Sequence, residues 1–386
     1  MHPNLVRQFE VILLERLNEI PLHIQVVLGP RQVGKTTGTL NVLNVLNKNF
    51  AASTYSYLLC ESGLNDADWL QHAIQKELQT NKKIIVFDEI QKIKNWSDQI
   101  KLIWDKFKLK KQKVHIVLLG SSSLQLTQGL SESLAGRFEV IRVHHWNYAE
   151  SQKFANLKLE KFIGLGGYPA SYHFLKNEDR FRNYISESIV ETVITKDIQK
   201  YSHIKNPALF RQTFALACQY PAQEVSYNKL LGQLQEAGNV DQIKHYLDLF
   251  QQAYLIKLIF KWSASNKSRT SSPKILPAAP VFTSFFLNRD LTSEEQGCVF
   301  EAQVGNILCQ NFNRVYFWRE GRFEVDYIVE YKTKLYAIEV KTKKRKTSGI
   351  AEFKKIKKLS LACYIDFDNY LAFEQNPKEF LIKFAL

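Results

Sequence analysis

Residues Gly29-Pro30-Arg31-Gln32-Val33-Gly34-Lys35-Thr36 constrain this chain more than any other stretch. Two glycines with four residues between them, followed by Lys-Thr, make a phosphate loop when a strand leads in and a helix leads out. Both flanks are present: HIQVVLGP is an apolar strand running into a turn, and KTTGTLNVLNVL resumes at helical spacing. In that setting backbone N–H groups curl round phosphates, and the start of the helix adds its positive end. Lys35 would reach the β- and γ-phosphates of ATP, and Thr36 would ligate Mg²⁺. Gly29, Pro30, Arg31, Gln32, Val33, Gly34, Lys35, Thr36 and Thr37 are therefore the expected nucleotide contacts.

A second motif completes the first. Ile84-Ile85-Val86-Phe87 drive a buried strand up to Asp88 and Glu89, and Asp88 lies 53 residues beyond Lys35. Asp88 suits Mg²⁺ binding, directly or through water, and Glu89 suits polarisation of the attacking water. A third strand, HIVLLG, ends in Ser121-Ser122-Ser123, where Ser122 is placed to sense the γ-phosphate. Arg137, in SESLAGRF, has two readings: stabilising transition-state charge in cis or from a neighbouring subunit, or pairing with a local carboxylate.

Strands alternating with helices through residue 150 predict a mostly parallel sheet covered on both faces. At 386 residues the chain is long enough for several domains. Past residue 150 the strand signal fades. Residues 151–200 read as helical and 201–265 as helix, turn, helix, strand. The Ser- and Pro-rich stretch 266–280 reads as a linker, and 281–386 as a helix followed by strands. Five cysteines without a CxxC pair argue against a zinc ribbon or redox dithiol and fit reduced, cytoplasmic thiols. No apolar run approaches the roughly 18–20 residues of a membrane span, so no membrane partner is expected.

The net charge of +14 is concentrated in two places. Lys332–Lys358 holds eleven basic residues against Glu339 and Glu352, and Lys101–Lys113 holds six lysines against Asp105. Such clustering suits a nucleic acid backbone, since each neutralised phosphate releases condensed counterions. The alternative is a pair of solvated lysine faces that maintain solubility.

The strings GPRQVGKTT, FDEIQKIKNWSDQIKLIWD and GSSSLQLTQGLSESLAGRFEVI resemble one group of prokaryotic AAA-type ATPases that carry a C-terminal domain related to PD-(D/E)XK nucleases. The resemblance covers nearly the whole chain and is strongest over 24–170 and 296–342. It implies an α/β fold: an AAA-type P-loop NTPase parallel sheet over 1–150, a helical lid, a winged helix-turn-helix and a C-terminal PD-(D/E)XK-like α/β domain. The family's GG-x-P signature matches Gly166-Gly167-Tyr168-Pro169, which implies that Gly167 and Pro169 sit in the lid near the adenine. Within the winged-helix segment, Gln242, Lys244, His245 and Tyr246 would project from the recognition helix into a groove. That segment reads equally as a packing module.

In the last domain Glu301, Asp326, Glu339 and Lys341 have the order of a PD-(D/E)XK site. Glu339 and Lys341 share a face of one strand because side chains alternate. Glu301, Asp326 and Glu339 would hold a second divalent metal, and Lys341 would orient the attacking water. The basic run Lys343-Lys344-Arg345-Lys346 follows at once. Cleavage, binding without cleavage, and a structural ion pair between Glu339 and Lys341 are all open readings, because the fold also hosts inactive versions.

Two functions follow. The first is an ATPase that couples nucleotide state to nucleic acid binding or metal-dependent cleavage, with DNA favoured over RNA. The second is a regulatory switch ATPase whose inactive nuclease-like domain binds protein partners or further copies of the chain.

Overall fold

Strand β1 (Ile24–Leu28), β3 (Ile84–Asp88) and β4 (His115–Gly120) are buried along their whole length. Runs such as IIVF belong in the middle of a parallel sheet, where both faces are covered. With β2 (Tyr55–Leu59) and β5 (Phe138–Arg142) they form a five-stranded, all-parallel sheet in the order β2-β3-β4-β1-β5. Strand β4 therefore separates the loop-bearing β1 from the carboxylate-bearing β3. The computed structural model describes residues 7–48, 54–60, 69–80, 82–120, 129–130, 133–199, 202, 204–263, 272–341 and 348–385.

Helices α1 (Gln8–Asn18), α2 (Lys35–Lys48), α3 (Trp69–Gln79) and α4 (Trp96–Leu109) belong to the same unit, which comprises residues 1–144 and 187–203. In α4 the residues Trp96, Ile100, Ile103, Trp104 and Phe107 recur at helical spacing and are buried. The lysines of α4 and its exit fall outside that stripe: Lys106, Lys108, Lys110, Lys111 and Lys113 are exposed. Lys108 lies over the Trp104 ring at 4.6 Å, its stem covering apolar surface while its charge stays in water.

The second unit comprises residues 145–186 and 204–386. It opens with α5 (Tyr148–Ala155) and α6 (Leu159–Leu165) and continues with α7 (Pro207–Cys218), α8 (Tyr227–Gly232) and α9 (Val240–Gln252). Its strands are β6 (Gln223–Glu224), β7 (Ile256–Lys261), β8 (Lys274–Pro277), β9 (Val315–Glu320), β10 (Phe323–Tyr331), β11 (Lys334–Val340) and β12 (Leu361–Ile365). One mixed sheet joins all seven in the order β12-β11-β10-β9-β7-β8-β6. Helix α10 (Ser293–Asn311) packs Val299, Phe300, Val304 and Leu308 into its core with Phe317, Tyr327 and Ile338.

Three expectations change here. The linker expected over 266–280 contains a buried strand: all four residues of β8 are covered, and they pair antiparallel with both β7 and β6. The sheet therefore runs without a break from the 201–265 segment into 281–386. The helical segment expected over 151–200 is divided, with 187–200 falling in the first unit. Tyr246 does not project from α9. It is 2% exposed, and its ring meets Phe210 edge-on at 4.9 Å. Lys244 and His245 on the same helix are exposed, while Gln242 caps its start, its Oε1 accepting from the Asn239 N–H.

Candidate functional site: a nucleotide loop and a carboxylate cluster

The loop leaves β1 at Leu28 and enters α2 at Lys35. Gly34 has φ +89°, a conformation that a side chain would strain, and its Cβ position opens on free space. Lys35 is buried, and its Nζ donates to the carbonyls of Gly29 at 2.9 Å and Pro30 at 2.5 Å. The ammonium is thus held inside the loop that the sequence assigns to phosphates. One residue on, Thr36 Oγ1 donates to Asp88 Oδ2 at 2.8 Å, joining the loop to the end of β3. A hydroxyl and a carboxylate oxygen side by side are the hard oxygen donors that Mg²⁺ takes, so the residues present fit that ion.

Glu89 follows Asp88 in the left-handed conformation, φ 56° and ψ 37°, which turns the chain sharply at the strand end. Gln91 Nε2 donates to Glu89 Oε2 at 2.7 Å and fixes its orientation. Two residues unmarked by any motif, Tyr57 and Arg7, and one from the loop itself, Gln32, support the site. Tyr57, on β2, donates to the same Asp88 Oδ2 at 2.5 Å, and burial followed by the Asp88 contact raises its phenol well above the ordinary value. Arg7, buried at the start of α1, donates through Nη1 to the Val33 carbonyl at 2.5 Å and through Nη2 to the His144 carbonyl at 2.8 Å. Gln32 Nε2 donates to the Ser188 carbonyl at 3.0 Å. For Tyr57 the available signal was an aromatic on the strand beside β3. For Arg7 there was none.

Arg137 is not brought to this loop. It precedes β5, and its carbonyl accepts from the Ile24 N–H at the amino end of β1. Five strand residues separate that edge from the loop, about 16 Å at the usual rise. Its guanidinium forms a two-pronged pair with Asp105 of α4, Nε to Oδ1 at 2.9 Å and Nη2 to Oδ2 at 3.1 Å. That hydrogen bond holds the Asp105 carboxyl below its usual range. Within the chain the partner of Arg137 is thus a local carboxylate. Ser122 lies outside the described residues.

Gly167 and Pro169 belong to the second unit. Gly167 has φ +114°, and a Cβ there would stand 2.6 Å from that of Ala279. Its N–H donates to the Tyr172 hydroxyl at 3.1 Å and its carbonyl accepts from the Trp146 N–H at 3.0 Å, while Pro169 opens a 3-10 turn, Pro169–Phe174. Within its unit the GG-x-P turn is a packed junction.

The C-terminal constellation converges. Antiparallel pairing of Tyr327 with Ile338 sets Asp326 and Glu339 beside each other on β10 and β11. Asp326 Oδ2 accepts from the Val340 N–H at 2.7 Å, and Lys341 Nζ sits 2.9 Å from Glu339 Oε2. Burial, then the Asp326 charge, pushes the Glu339 carboxyl up to about 7 and that of Glu301 up to about 8. A lysine that the sequence pattern does not include lies among these carboxylates. Lys274, from β8 and fully buried, places its Nζ 2.8 Å from Glu301 Oε1 and 3.0 Å from Glu324 Oε1. Among the described residues no group of three or more His, Cys, Asp or Glu side chains is arranged to hold a metal ion. Glu301, Asp326 and Glu339 are partners of ammonium and amide groups. Sequence reasoning missed Lys274 and Glu324, although Glu324 and Asp326 share a strand face by their spacing. The run 343–346 lies outside the described residues.

Comparison with known proteins agrees with the first unit. Residues 22–152 match the model of the AAA domain, and 156–278 and 296–372 match two domains of unknown function, DUF8612 and DUF4143. The parallel sheet and its loop are those of an AAA-type P-loop NTPase fold. An uncharacterized protein of Methanocaldococcus jannaschii is 27% identical over 340 residues, 80% of this chain and 73% of that one. One from Mycobacterium tuberculosis is 25% identical over 330 residues, 82% of this chain and 70% of that one. Among solved structures, a RuvB variant from Thermotoga maritima overlaps 74% of this chain and 95% of that one, at 14% identity and a TM-score of 0.36. Among the described residues no helix is long and apolar enough to cross a membrane.

Proposed function

We propose that this protein binds ATP with Mg²⁺ at the loop 29–37, hydrolyses it, and uses nucleotide state to control nucleic acid binding by its second unit. The observation that carries the proposal is the Thr36–Asp88 contact at 2.8 Å beside the buried Lys35 ammonium. In this reading Lys35 exchanges the carbonyls of Gly29 and Pro30 for the β- and γ-phosphate oxygens. Thr36 and Asp88 would hold Mg²⁺, which would supply neutralisation of the phosphate charge. Glu89, steadied by Gln91, accepts the proton of the attacking water.

Coupling is supported by connectivity: the chain enters the first unit at Glu187, next to the Ser188 carbonyl that Gln32 of the loop engages. Nucleic acid binding by the second unit is supported by the charge of 332–358, and the exposed lysines 106–113 add a basic face to the first unit. A winged helix is supported by the order α7, β6, α8, α9, β7, β8, with β8 antiparallel between β6 and β7. DNA is the favoured polymer, bound and not cleaved. A switch that binds a protein partner is the second reading, favoured by the mixed charge on the exposed face of α9, where Asp241 lies 3.6 Å from Lys244.

ATP turnover measured with and without duplex DNA across a salt series separates the two. Stimulation that falls steeply with salt supports the first. Turnover indifferent to DNA at low salt overturns it in favour of the second.

A further inference from the structure

In the second unit, the buried Lys274 ammonium engages Glu301, one of the three carboxylates that the sequence pattern assigns to a divalent cation. Its Nζ has Glu301 Oε1 at 2.8 Å, Glu324 Oε1 at 3.0 Å and the Asp326 carbonyl at 3.4 Å. Oxygens from three residues on two different elements surround one cation. The rings of Tyr327 and Phe317, with centroids 5.4 and 5.6 Å away, close its apolar side. The lysine is fully buried, so water supplies none of its charge compensation. Glu301, Glu324, Asp326 and Glu339 bring four carboxyls to one place, with Lys341 on Glu339 and Arg319 on Glu324 at the rim.

We infer that the ammonium of Lys274 is a built-in replacement for the metal of a nuclease-type site, so that this site takes up no divalent cation and cuts no phosphodiester. An ammonium donates to oxygens at hydrogen-bond distance, whereas Mg²⁺ needs them at about 2.0–2.1 Å in an octahedron. A second cation entering the cluster would meet the fixed charge of Lys274 and compete with it for Glu301 and Glu324. The arrangement gives Glu301 and Glu324 a buried cationic partner and joins β8 to β10 and α10. The inference rests on the nuclease-like reading of 281–386 and is independent of ATP hydrolysis, because its readout is metal binding in the absence of nucleotide.

The test is Mn²⁺ binding to the full chain without nucleotide, followed by electron paramagnetic resonance, in wild type, Asp326→Asn, Lys274→Ala and the double variant. Wild type and Asp326→Asn should bind Mn²⁺ alike. Lys274→Ala should gain one ion per chain, about tenfold or more tighter than any wild-type site, and the double variant should lose it. Mn²⁺ on the wild type that Asp326→Asn removes overturns the inference, as does a folded Lys274→Ala that gains no ion. Should Lys274→Ala not fold, the comparison of wild type with Asp326→Asn decides alone: equal binding supports the inference, and loss in the variant overturns it.

Discussion

Arg7 Nη1 donates to the carbonyl of Val33, a residue inside the nucleotide loop and 26 positions along the chain, at 2.5 Å. Its second nitrogen holds the His144 carbonyl just past the end of β5, so one buried guanidinium ties the loop to the neighbouring strand exit. Arg7→Met should therefore act on stability and on the loop together. The loss of two charge-assisted bonds is expected to cost roughly 2–3 kcal/mol in denaturant unfolding. ATP affinity should fall in the same variant by calorimetry. Unchanged affinity in a destabilised protein would show that Arg7 serves packing alone.

Lys35→Ala should abolish ATP binding or weaken it greatly. The ammonium already lies within the loop, bonded to Gly29 and Pro30, and is the side-chain cation assigned to the phosphates. Titration calorimetry giving equal affinity in wild type and variant would contradict this assignment.

Glu89→Gln should leave ATP bound while slowing its hydrolysis by roughly 10²-fold or more, the usual loss with a positioned base. The change is nearly isosteric, and the contact with Gln91 keeps a partner. Single-turnover measurements isolate the chemical step. An unaltered rate there removes Glu89 from the mechanism.

Glu374 predicts a pH dependence of stability in the second unit. Its two oxygens accept from the N–H groups of Tyr148 and Ala149 at 3.0 and 2.7 Å, at the start of α5. Burial outweighs those bonds and pushes its carboxyl from 4.5 up to about 7. Between those two values the folded chain holds a proton that the unfolded chain has released. The stability tied to this group is therefore full below the unfolded pKa and is lost as pH rises through the folded one. The loss amounts to up to roughly 3 kcal/mol. Urea unfolding at pH 5 and pH 8 should show that decline in wild type and a flatter profile in Glu374→Gln. Equal slopes would refute it.

The nucleotide loop was legible because its chemistry is local. Gly29 through Thr36 are consecutive, their backbone builds the cradle, and the apolar run ahead of Asp88 marks a central strand with its carboxylate at the end. The convergence of Asp326, Glu339 and Lys341 was legible for a similar reason: alternation along β11 and a short connection from β10 leave little freedom in their placement. Tyr246 misled because an aromatic at helical spacing carries no mark of which face it takes, and the neighbouring Phe210 settled that. The sequence left Arg137 with two readings because a residue next to a strand lies at one end of the sheet or the other, and the parallel direction of β5 put it at the end away from the loop.

Lys274 was beyond the reach of the sequence. Its Ser- and Pro-rich surroundings read as a connection, and only the pairing of β8 between β6 and β7 buried it. The oxygens that hold it lie 27, 50 and 52 residues away, on a helix and a strand that become neighbours only in the folded unit. Short-range backbone geometry let the chain declare a phosphate loop in eight residues. Which cation neutralises the C-terminal carboxylates depends on long-range register, and that is decided only when buried charges must find partners in the folded core.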